Sequence, residues 1–215
     1  MRRSRWVLRL AAAAAVVPVL LVAVPTTRHA LLRAVGWALV VDDPLRPADA
    51  IVVAVDAGEA GVLEAADLVH SGFSQRVAIF DDPPEAAERE FLRRHVEYED
   101  RAARETRQLR TLGIDEVQRI FRDVVGTEDE GRVFPAWCDQ HELRTVIVVS
   151  HADHTRRLRR VLSRALKGHH TTLIVRRARY SEFDPDEWWR SRSALRTGII
   201  ELEKLLLDVV RHPIS

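Results

Sequence analysis

From about residue 47 onward, short apolar runs rich in β-branched residues alternate with longer segments that are dense in charge. Near-continuous apolar runs predict strands buried on both faces, and the charged segments predict the helices that cover them. We therefore expect one α/β domain with a doubly wound, mainly parallel sheet of about five strands. The clear strands are predicted at 50–55, 76–80, 145–150 and 171–175, with a weaker one at 116–120.

The predicted helices lie between and after these strands, at 59–70, 84–112, 128–141, 154–166 and 184–210. Gly72 and Gly113 stand where helices commonly end. In the last segment, Ile199, Leu202 and Leu206 recur at helical spacing. Because sheets of this kind place their sites at the carboxyl ends of the strands, the residues after each strand are the first to search for chemistry.

The first 28 residues follow a different pattern. Three arginines, Arg2, Arg3 and Arg5, precede an unbroken apolar run over 10–24. As a helix this run is about 22 Å long, and it reaches about 28 Å when extended back to Trp6, close to the ~30 Å hydrocarbon core. Arginines ahead of the helix orient the N-terminus toward the cytoplasm. We predict a single-pass anchor in the cytoplasmic (inner) membrane, with the lipid bilayer as its partner and an extracytoplasmic C-terminal domain.

A cleaved signal peptide fits the same charge and apolar pattern. Cleavage after Val24 would place Pro25 directly behind the bond, and Arg28 lies two positions before Ala30. Neither position suits cleavage, so the anchor in residues 1–28 is the favoured interpretation. The apolar stretch 30–41 contains Arg33 and predicts a juxtamembrane helix within a linker at 29–44. The α/β domain then covers residues 45–215.

Composition narrows the function classes. The chain carries 33 basic and 32 acidic residues, a net charge of +1, so nothing predicts binding to nucleic acid. Its 47% hydrophobic and 30% charged residues are typical of a globular protein. The sequence contains no GxSxG, Walker loop or complete GxGxxG, which argues against a typical serine hydrolase, a P-loop ATPase and a dehydrogenase.

Polar residues follow the predicted strands at the edge where a ligand would bind. Asp56 comes after the first strand, and Ser150 ends the strand at 145–150. A threonine and an acidic residue open the helix predicted at 128–141. The candidate ligand-binding residues are Asp56, Thr127, Glu130, Ser150, His151 and Arg157.

His154 and Arg157 lie one turn apart at the start of a helix. There they would hold a phosphate or carboxylate, and His154 is the natural proton carrier for acid–base chemistry. The structural alternative is a capping histidine and an arginine that pairs with an acidic neighbour. Thr127 and Glu130 likewise have a structural alternative, a capping box. His151 and His154 lack further ligands at metal-binding spacing, so no metal site is predicted, and the residues identify no cofactor.

Several of these residues, in this order, resemble the YdcF/SanA/ElyC-like family of bacterial envelope-associated domains. The resemblance covers residues 45–210. It includes the helix that ends at Gly72 and Ser150 with the H-x-x-R pair His154 and Arg157. It also includes the pair Trp188-Trp189, followed by Glu201 and Lys204.

The resemblance implies a Rossmann-like domain and, for anchored branches, a role in envelope integrity and peptidoglycan precursor metabolism. One cytosolic branch has been linked to S-adenosylmethionine binding. The chain departs from the family in two loops. Asp56-Ala57-Gly58 stands where the family has Gly-Gly, and Asp81-Asp82-Pro83-Pro84 where it has Ser-Gly-Gly. Proline removes an N–H that would bind a phosphate.

We therefore expect a membrane-anchored extracytoplasmic protein of cell-envelope maintenance that binds a small anionic or phosphorylated envelope ligand at the strand ends. Whether it is an enzyme stays open at this point. One alternative is a non-catalytic binding or scaffold module derived from such an enzyme. The other is a nucleotide or S-adenosylmethionine binder.

Overall fold

The computed structural model describes residues 24–121 and 124–213. Most of the predicted anchor, residues 1–23, lies outside the described residues. Within the two described ranges, no helix combines the length and the hydropathy that a membrane crossing requires.

The sheet has five strands, and every neighbouring pair is parallel. The strand order is β3-β2-β1-β4-β5, which fits a Rossmann-like fold and confirms the predicted parallel α/β class. The order reverses between β1 and β4, where Ile51 lies opposite Ile147. The strands are β1 (Ala50–Val53), β2 (Val77–Phe80), β3 (Val117–Ile120), β4 (Thr145–Ser150) and β5 (Thr172–Arg177).

Seven helices and two short 3-10 turns are described between and around the strands. The helices Gly58–His70 and Arg101–Thr111 pack against each other, and the helices Thr127–Gln140, Thr155–Ala165 and Arg192–Arg211 pack in succession. All of β1 and β2 is buried between these helices, which explains the purely apolar composition of both strands. The helices are α1 (Pro25–Ala38), α2 (Gly58–His70), α3 (Ala86–Arg93), α4 (Arg101–Thr111), α5 (Thr127–Gln140), α6 (Thr155–Ala165) and α7 (Arg192–Arg211); the turns are Ala152–His154 and Trp188–Arg190.

Two predicted helices differ from the structure. The segment predicted as one helix at 84–112 forms α3 and α4, with a break in which His95 has a φ of 56°. The α3 helix buries no residue, so no packing holds it in line with α4, which begins at its own cap, Asp100. The last helix begins at Arg192 rather than at 184, after a cap by Ser191.

The segment predicted as a linker packs on the domain as helix α1. The Trp188 indole Nε1 donates a hydrogen bond to the Leu32 carbonyl at 2.7 Å. Two glycines make room for this ring and its loop. A Cβ at Gly36 would lie 2.3 Å from the Pro185 carbonyl oxygen, and a Cβ at Gly198 would lie 2.8 Å from the Trp188 ring. Trp188 therefore anchors α1 to the start of α7.

The arginine-rich start of α6 joins these outer elements to the sheet. Arg156 donates to carbonyl oxygens at the end of α1. Arg159 pairs with Asp43, and Arg160 donates to Asp208 of α7 at 2.5 Å. These guanidinium groups all bond within the domain, and they hold α1 and α7 beside the carboxyl ends of β1 and β4.

Candidate active site

A polar cavity of about 340 Å³ opens at the carboxyl edge of the sheet, next to the β1–β4 boundary. Its walls come from the residues after β1, the start of α5, the start of α6 and the middle of α7. The position agrees with the rule that open α/β sheets bind ligands where the strand order reverses. The residues that line it are Val55, Asp56, Val125, Gly126, Thr127, Glu130, His154, Arg157, Glu201 and Lys204.

Asp56 projects from the end of β1, with about a third of its side chain exposed. The fully buried Ser150 hydroxyl lies 3.2 Å from each Asp56 carboxylate oxygen. Because Ser150 ends the neighbouring strand β4, pairing of the two strands positions this contact. The carboxylate is thereby oriented, and its Oδ2 lies 3.8 Å from Nε2 of His154.

His154 is buried at the centre of the site and has a partner on each ring nitrogen. Nδ1 lies 2.9 Å from Glu201 Oε2, and Nε2 lies 2.9 Å from Thr127 Oγ1. Arg157 Nη2 also lies 2.9 Å from Nδ1, but this guanidinium donates to both carboxylate oxygens of Glu201. Because an ionised carboxylate only accepts hydrogen bonds, the contact with Glu201 assigns the proton to Nδ1. In the neutral ring, Nε2 then accepts the hydrogen bond of the Thr127 hydroxyl.

Glu201 is held in its ionised form by three donors. Besides His154, it accepts hydrogen bonds from Arg157 Nε at 3.0 Å and from Lys204 Nζ at 2.7 Å. Burial alone would raise the pKa of Glu201, but these donors outweigh it and hold the pKa far below its usual range. The site therefore contains a permanent carboxylate directly behind the imidazole.

The pKa of His154 lies above its ordinary value of 6.5. Burial lowers it, but the negative charge of Asp56 and the hydrogen bond to Glu201 raise it by more. The raised pKa means that His154 takes up a proton more readily than a free imidazole, and an imidazole can carry a proton in acid–base chemistry.

Glu130 supplies a second carboxyl group of unusual acidity. Its side chain is 1% exposed and accepts a hydrogen bond from the Val55 N–H at 2.8 Å. Burial, together with the charge of Asp56, raises its pKa to about 7. Two of the three carboxyl groups of the site thus differ in acidity: the pKa of Glu130 is raised to about 7, and Glu201 is fixed as an anion by three donors.

The start of α5 does not form the capping box that the sequence allows. Thr127 is the first helical residue, its hydroxyl contacts His154, and the Glu130 carboxyl reaches the Val55 N–H. The first N–H groups of a helix have no intrahelical acceptor, and the helix dipole makes this end positive. Arg157 and Lys204 line the cavity beside this end of α5, whose first turn itself carries Glu128, Asp129 and Glu130.

The structure brings most of the predicted site residues together. Asp56, Thr127, Glu130, His154 and Arg157 line the cavity, and buried Ser150 supports it from behind. His151 does not join them. Its Nδ1 lies 2.9 Å from the Ser181 hydroxyl, away from the cavity lining, because the turn after β4 directs it to the other side.

For two site residues, Glu201 and Lys204, the sequence gives no indication beyond the family resemblance. Their sequence signal is weak, since they are two of several charges on a helix that also carries an apolar stripe. Within the described parts of the chain, no three His, Cys, Asp or Glu side chains are grouped as a metal ion would require.

Comparisons with known proteins add little to this geometry. No family model matches the chain, and no curated protein matches it. Among solved structures, it is similar to guanylylpyridinol- and ATP-bound HcgE from Methanothermobacter marburgensis, at 12% identity and a TM-score of 0.28. The match covers 81% of this chain and 100% of that one. A likeness this weak carries no argument about function, and the YdcF-like resemblance stays a prediction.

Proposed function

We propose that this protein is a membrane-anchored extracytoplasmic protein of cell-envelope maintenance that binds a small anionic or phosphorylated ligand at the carboxyl edge of its sheet. The observation that carries the ligand class is the convergence of Arg157 and Lys204 with the start of α5 around one cavity. Guanidinium, ammonium and helix N–H groups are the donors that proteins use for phosphates and carboxylates.

The size of the cavity favours a small ligand. Ligand pockets commonly hold ~300–1,000 Å³, and this one, at about 340 Å³, is near the lower limit. A phosphorylated sugar or a small acid suits that volume better than a nucleotide or S-adenosylmethionine. Asp56 and Glu130 lie in the same lining, where carboxyl groups would bind sugar hydroxyls.

The envelope part of the proposal is supported by the sequence. The apolar run at 10–24 follows a cluster of arginines, and α1 begins at Pro25 immediately after it. Residues that carry the family resemblance, among them His154, Arg157, Glu201 and Lys204, contact one another in a single cavity. The proposed role in peptidoglycan precursor metabolism rests on that resemblance.

The ligand class is tested by calorimetric titration of the full chain in detergent, with inorganic phosphate and N-acetylglucosamine 1-phosphate as probes. We expect Lys204→Gln to weaken binding by about tenfold, the effect of losing one charge-assisted hydrogen bond. Lys167→Gln is the matched control, because Lys167 is the other lysine of the chain and is exposed outside the cavity. No binding, or equal binding by both variants, would contradict the proposal.

The location is tested by fusing alkaline phosphatase, which is active only outside the cytoplasm, to the C-terminus in a bacterial host. We expect an active fusion in the membrane fraction, and an inactive one when the enzyme is fused to the N-terminus. The mass of the recovered chain separates an anchor from a signal peptide, because cleavage would remove the apolar run. An inactive C-terminal fusion would rule out the export of the domain.

A non-catalytic binding module is the second candidate, and one surface favours it. The α7 helix exposes six large apolar side chains, Ile199, Ile200, Leu206, Leu207, Val209 and Val210. Exposed apolar patches mark protein or membrane contacts. If Leu206→Glu abolished the envelope phenotype while Lys204→Gln preserved it, the module would be the better description.

A further inference from the structure

We propose that Thr127, His154 and Glu201 form a catalytic relay that hydrolyses a carboxylic ester carried by an anionic molecule. Thr127 is the nucleophile, His154 is the general base and acid, and Glu201 is a positioning residue. This inference deepens the proposed function and rests on it, because the cavity that binds the anionic part also holds the relay.

The geometry of the three side chains carries the assignment. Thr127 Oγ1 lies 2.9 Å from His154 Nε2, and the opposite nitrogen, Nδ1, lies 2.9 Å from Glu201 Oε2. All three residues are buried, with 6%, 4% and 6% of their surfaces exposed, so packing fixes these distances. A hydroxyl within hydrogen-bond reach of a base that is itself oriented by a third group is the arrangement of an activated nucleophile.

The surrounding charges prepare the imidazole for this role. Arg157 and Lys204 keep Glu201 ionised, so Glu201 holds the Nδ1 proton and leaves the Nε2 lone pair directed at Thr127. When His154 takes up a proton, Glu201 on one side stabilises the imidazolium. Asp56, 3.8 Å from Nε2, stabilises it on the other. The raised pKa of His154 agrees with this environment.

The start of α5 provides the N–H donors that would stabilise the oxyanion formed in the reaction. Thr127 is the first residue of the helix. The N–H groups of Asp129 and Glu130 bond to the Gly126 carbonyl, so those of Thr127 and Glu128 are the two in the first turn that can bind an oxyanion. A Cβ added at the neighbouring Gly126 would meet no atom within 4 Å, so there is open space beside the nucleophile for a substrate.

Two covalent steps complete the reaction. The Thr127 oxygen attacks the ester carbonyl carbon as its proton passes to His154 Nε2. The bond to the alkoxy oxygen then breaks, and that proton goes to the departing alcohol, leaving an acyl group on Thr127. In the second step, water gives a proton to Nε2 and attacks the acyl carbon. The carboxylic acid leaves, and the proton returns to the Thr127 oxygen.

The carboxyl groups of the site favour an ester over a phosphate as the bond that is cleaved. Asp56 and Glu201 lie within 4 Å of the His154 ring nitrogens and would repel a reacting phosphoryl group that carries its charge on several oxygens. An ester carbonyl starts neutral and develops a single negative charge. Half-exposed Lys204, at the rim, then binds the anionic part of the substrate away from the bond.

The test uses the full chain in detergent with p-nitrophenyl acetate as the probe and p-nitrophenyl phosphate as the competing chemistry. We expect turnover of the acetate ester, with an initial burst, and an acetyl group on Thr127 in peptide mass spectra. Thr127→Ala should lower the rate by about 100-fold or more and remove the adduct. Thr127→Ser should restore both. Thr111→Ala, which changes an exposed threonine of α4, is the matched control.

The roles of His154 and Glu201 are separated by pH profiles. His154→Gln should lower the rate by about 100-fold or more at every pH, while His70→Gln, in an exposed histidine, should not. Glu201→Gln should lower the rate and shift the inflection assigned to His154 toward lower pH, because the imidazolium loses its carboxylate. Glu201→Asp should recover part of the rate, and exposed Glu203→Gln is its control. Circular dichroism and thermal melting verify that each variant is folded.

Three results would overturn the relay. They are retention of the adduct or rate in folded Thr127→Ala, absence of ester turnover by the folded unmodified chain, and cleavage of the phosphate probe alone. Calorimetric binding of inorganic phosphate separates the two proposals. If phosphate binds and no acylation occurs, the relay is wrong and the proposed function stands. If neither occurs, both are wrong.

Discussion

Aspartates follow two neighbouring strands, β1 and β2, at the carboxyl edge of the sheet, but different side chains contact them. After β1, Asp56 is contacted by a hydroxyl and a histidine and lines the cavity. After β2, Asp81 accepts a hydrogen bond from Arg119 Nε at 3.0 Å, and Asp82 lies 3.1 Å from Arg101. One side of the edge is open to a ligand, and guanidinium groups close the other.

The closed side is held by α4, the second helix after β2. Arg101, at the start of α4, also donates to the Phe80 carbonyl and to buried Glu105, each at 2.8 Å. An arginine with several donors saturates the carboxylates and carbonyls around it. The Asp-Asp-Pro-Pro loop, which stands where the family that the sequence resembles has Ser-Gly-Gly, is therefore part of a structural ion-pair network. An aspartate after a strand faces a ligand only where no arginine reaches it.

The greatest loss of stability is expected when the ion pairs of the closed side are broken. Arg101→Met leaves Glu105, 2% exposed, without its cationic partner and should lower the free energy of unfolding by about 3 kcal/mol, as loss of one partner of a buried pair does. Urea denaturation followed by circular dichroism measures this. Arg104→Met is the matched control, because its nearest carboxylate, on Glu59, is 3.9 Å away and exposed. A loss below about 1 kcal/mol would show that this side is not held by its ion pairs.

A smaller effect, dependent on pH, is expected on the open side. The pKa of Glu130 is raised from 4.5 to about 7, first by burial and then by Asp56, so the folded chain holds this proton more tightly than the unfolded chain. Its contribution to stability is present below pH 4.5 and is lost as the pH rises to about 7. Glu130→Gln keeps an oxygen for the Val55 N–H but carries no charge.

We therefore expect the stability of Glu130→Gln relative to the unmodified chain to increase by about 2 kcal/mol between about pH 4.5 and pH 7.5. Urea denaturation at the two pH values gives the difference. Glu128→Gln, in the exposed neighbour on α5, should show no such change. Parallel stability curves for Glu130→Gln and the unmodified chain would mean that this carboxyl is not held protonated.

Two further substitutions compare the aspartates after β1 and β2 directly, with small expected changes in stability. Asp81→Asn removes a carboxylate that Arg119 binds and should cost about 1 kcal/mol, whereas Asp56→Asn should cost less than about 0.5 kcal/mol because no guanidinium pairs with it. Thermal melting measures both. Calorimetry with inorganic phosphate should show changed affinity for Asp56→Asn alone. Equal stability losses, or equal changes in affinity, would remove the distinction between the two sides.

The parallel sheet and its strands could be predicted from the sequence because buried strands are apolar on both faces, as in β1 and β2. The break between α3 and α4 could not. Local charge spacing supports a helix throughout this segment, and the absence of packing around α3 is a tertiary property. The docking of α1 depends on Trp188, more than 150 residues away in the chain.

The site residues can likewise be separated into those that the sequence predicts and those that it does not. Residues after the strands, such as Asp56 and Ser150, follow from the rule for parallel sheets. His154 and Arg157 follow from their place at the start of a helix. His151, by contrast, does not line this cavity, because the turn after β4 directs its side chain toward Ser181.

The sequence by itself therefore determined the fold class and the edge of the sheet at which chemistry is concentrated, since both depend on patterns within single elements. Only the tertiary structure decided which polar groups act together. It brought Glu201 to within 2.9 Å of His154 across 47 positions, turned Thr127 from a cap into a partner of that histidine, and saturated Asp81 with an arginine from another strand. Contacts of this range depend on how helices pack on the sheet, and a carboxylate, a hydroxyl or an imidazole takes its role from the group it meets there.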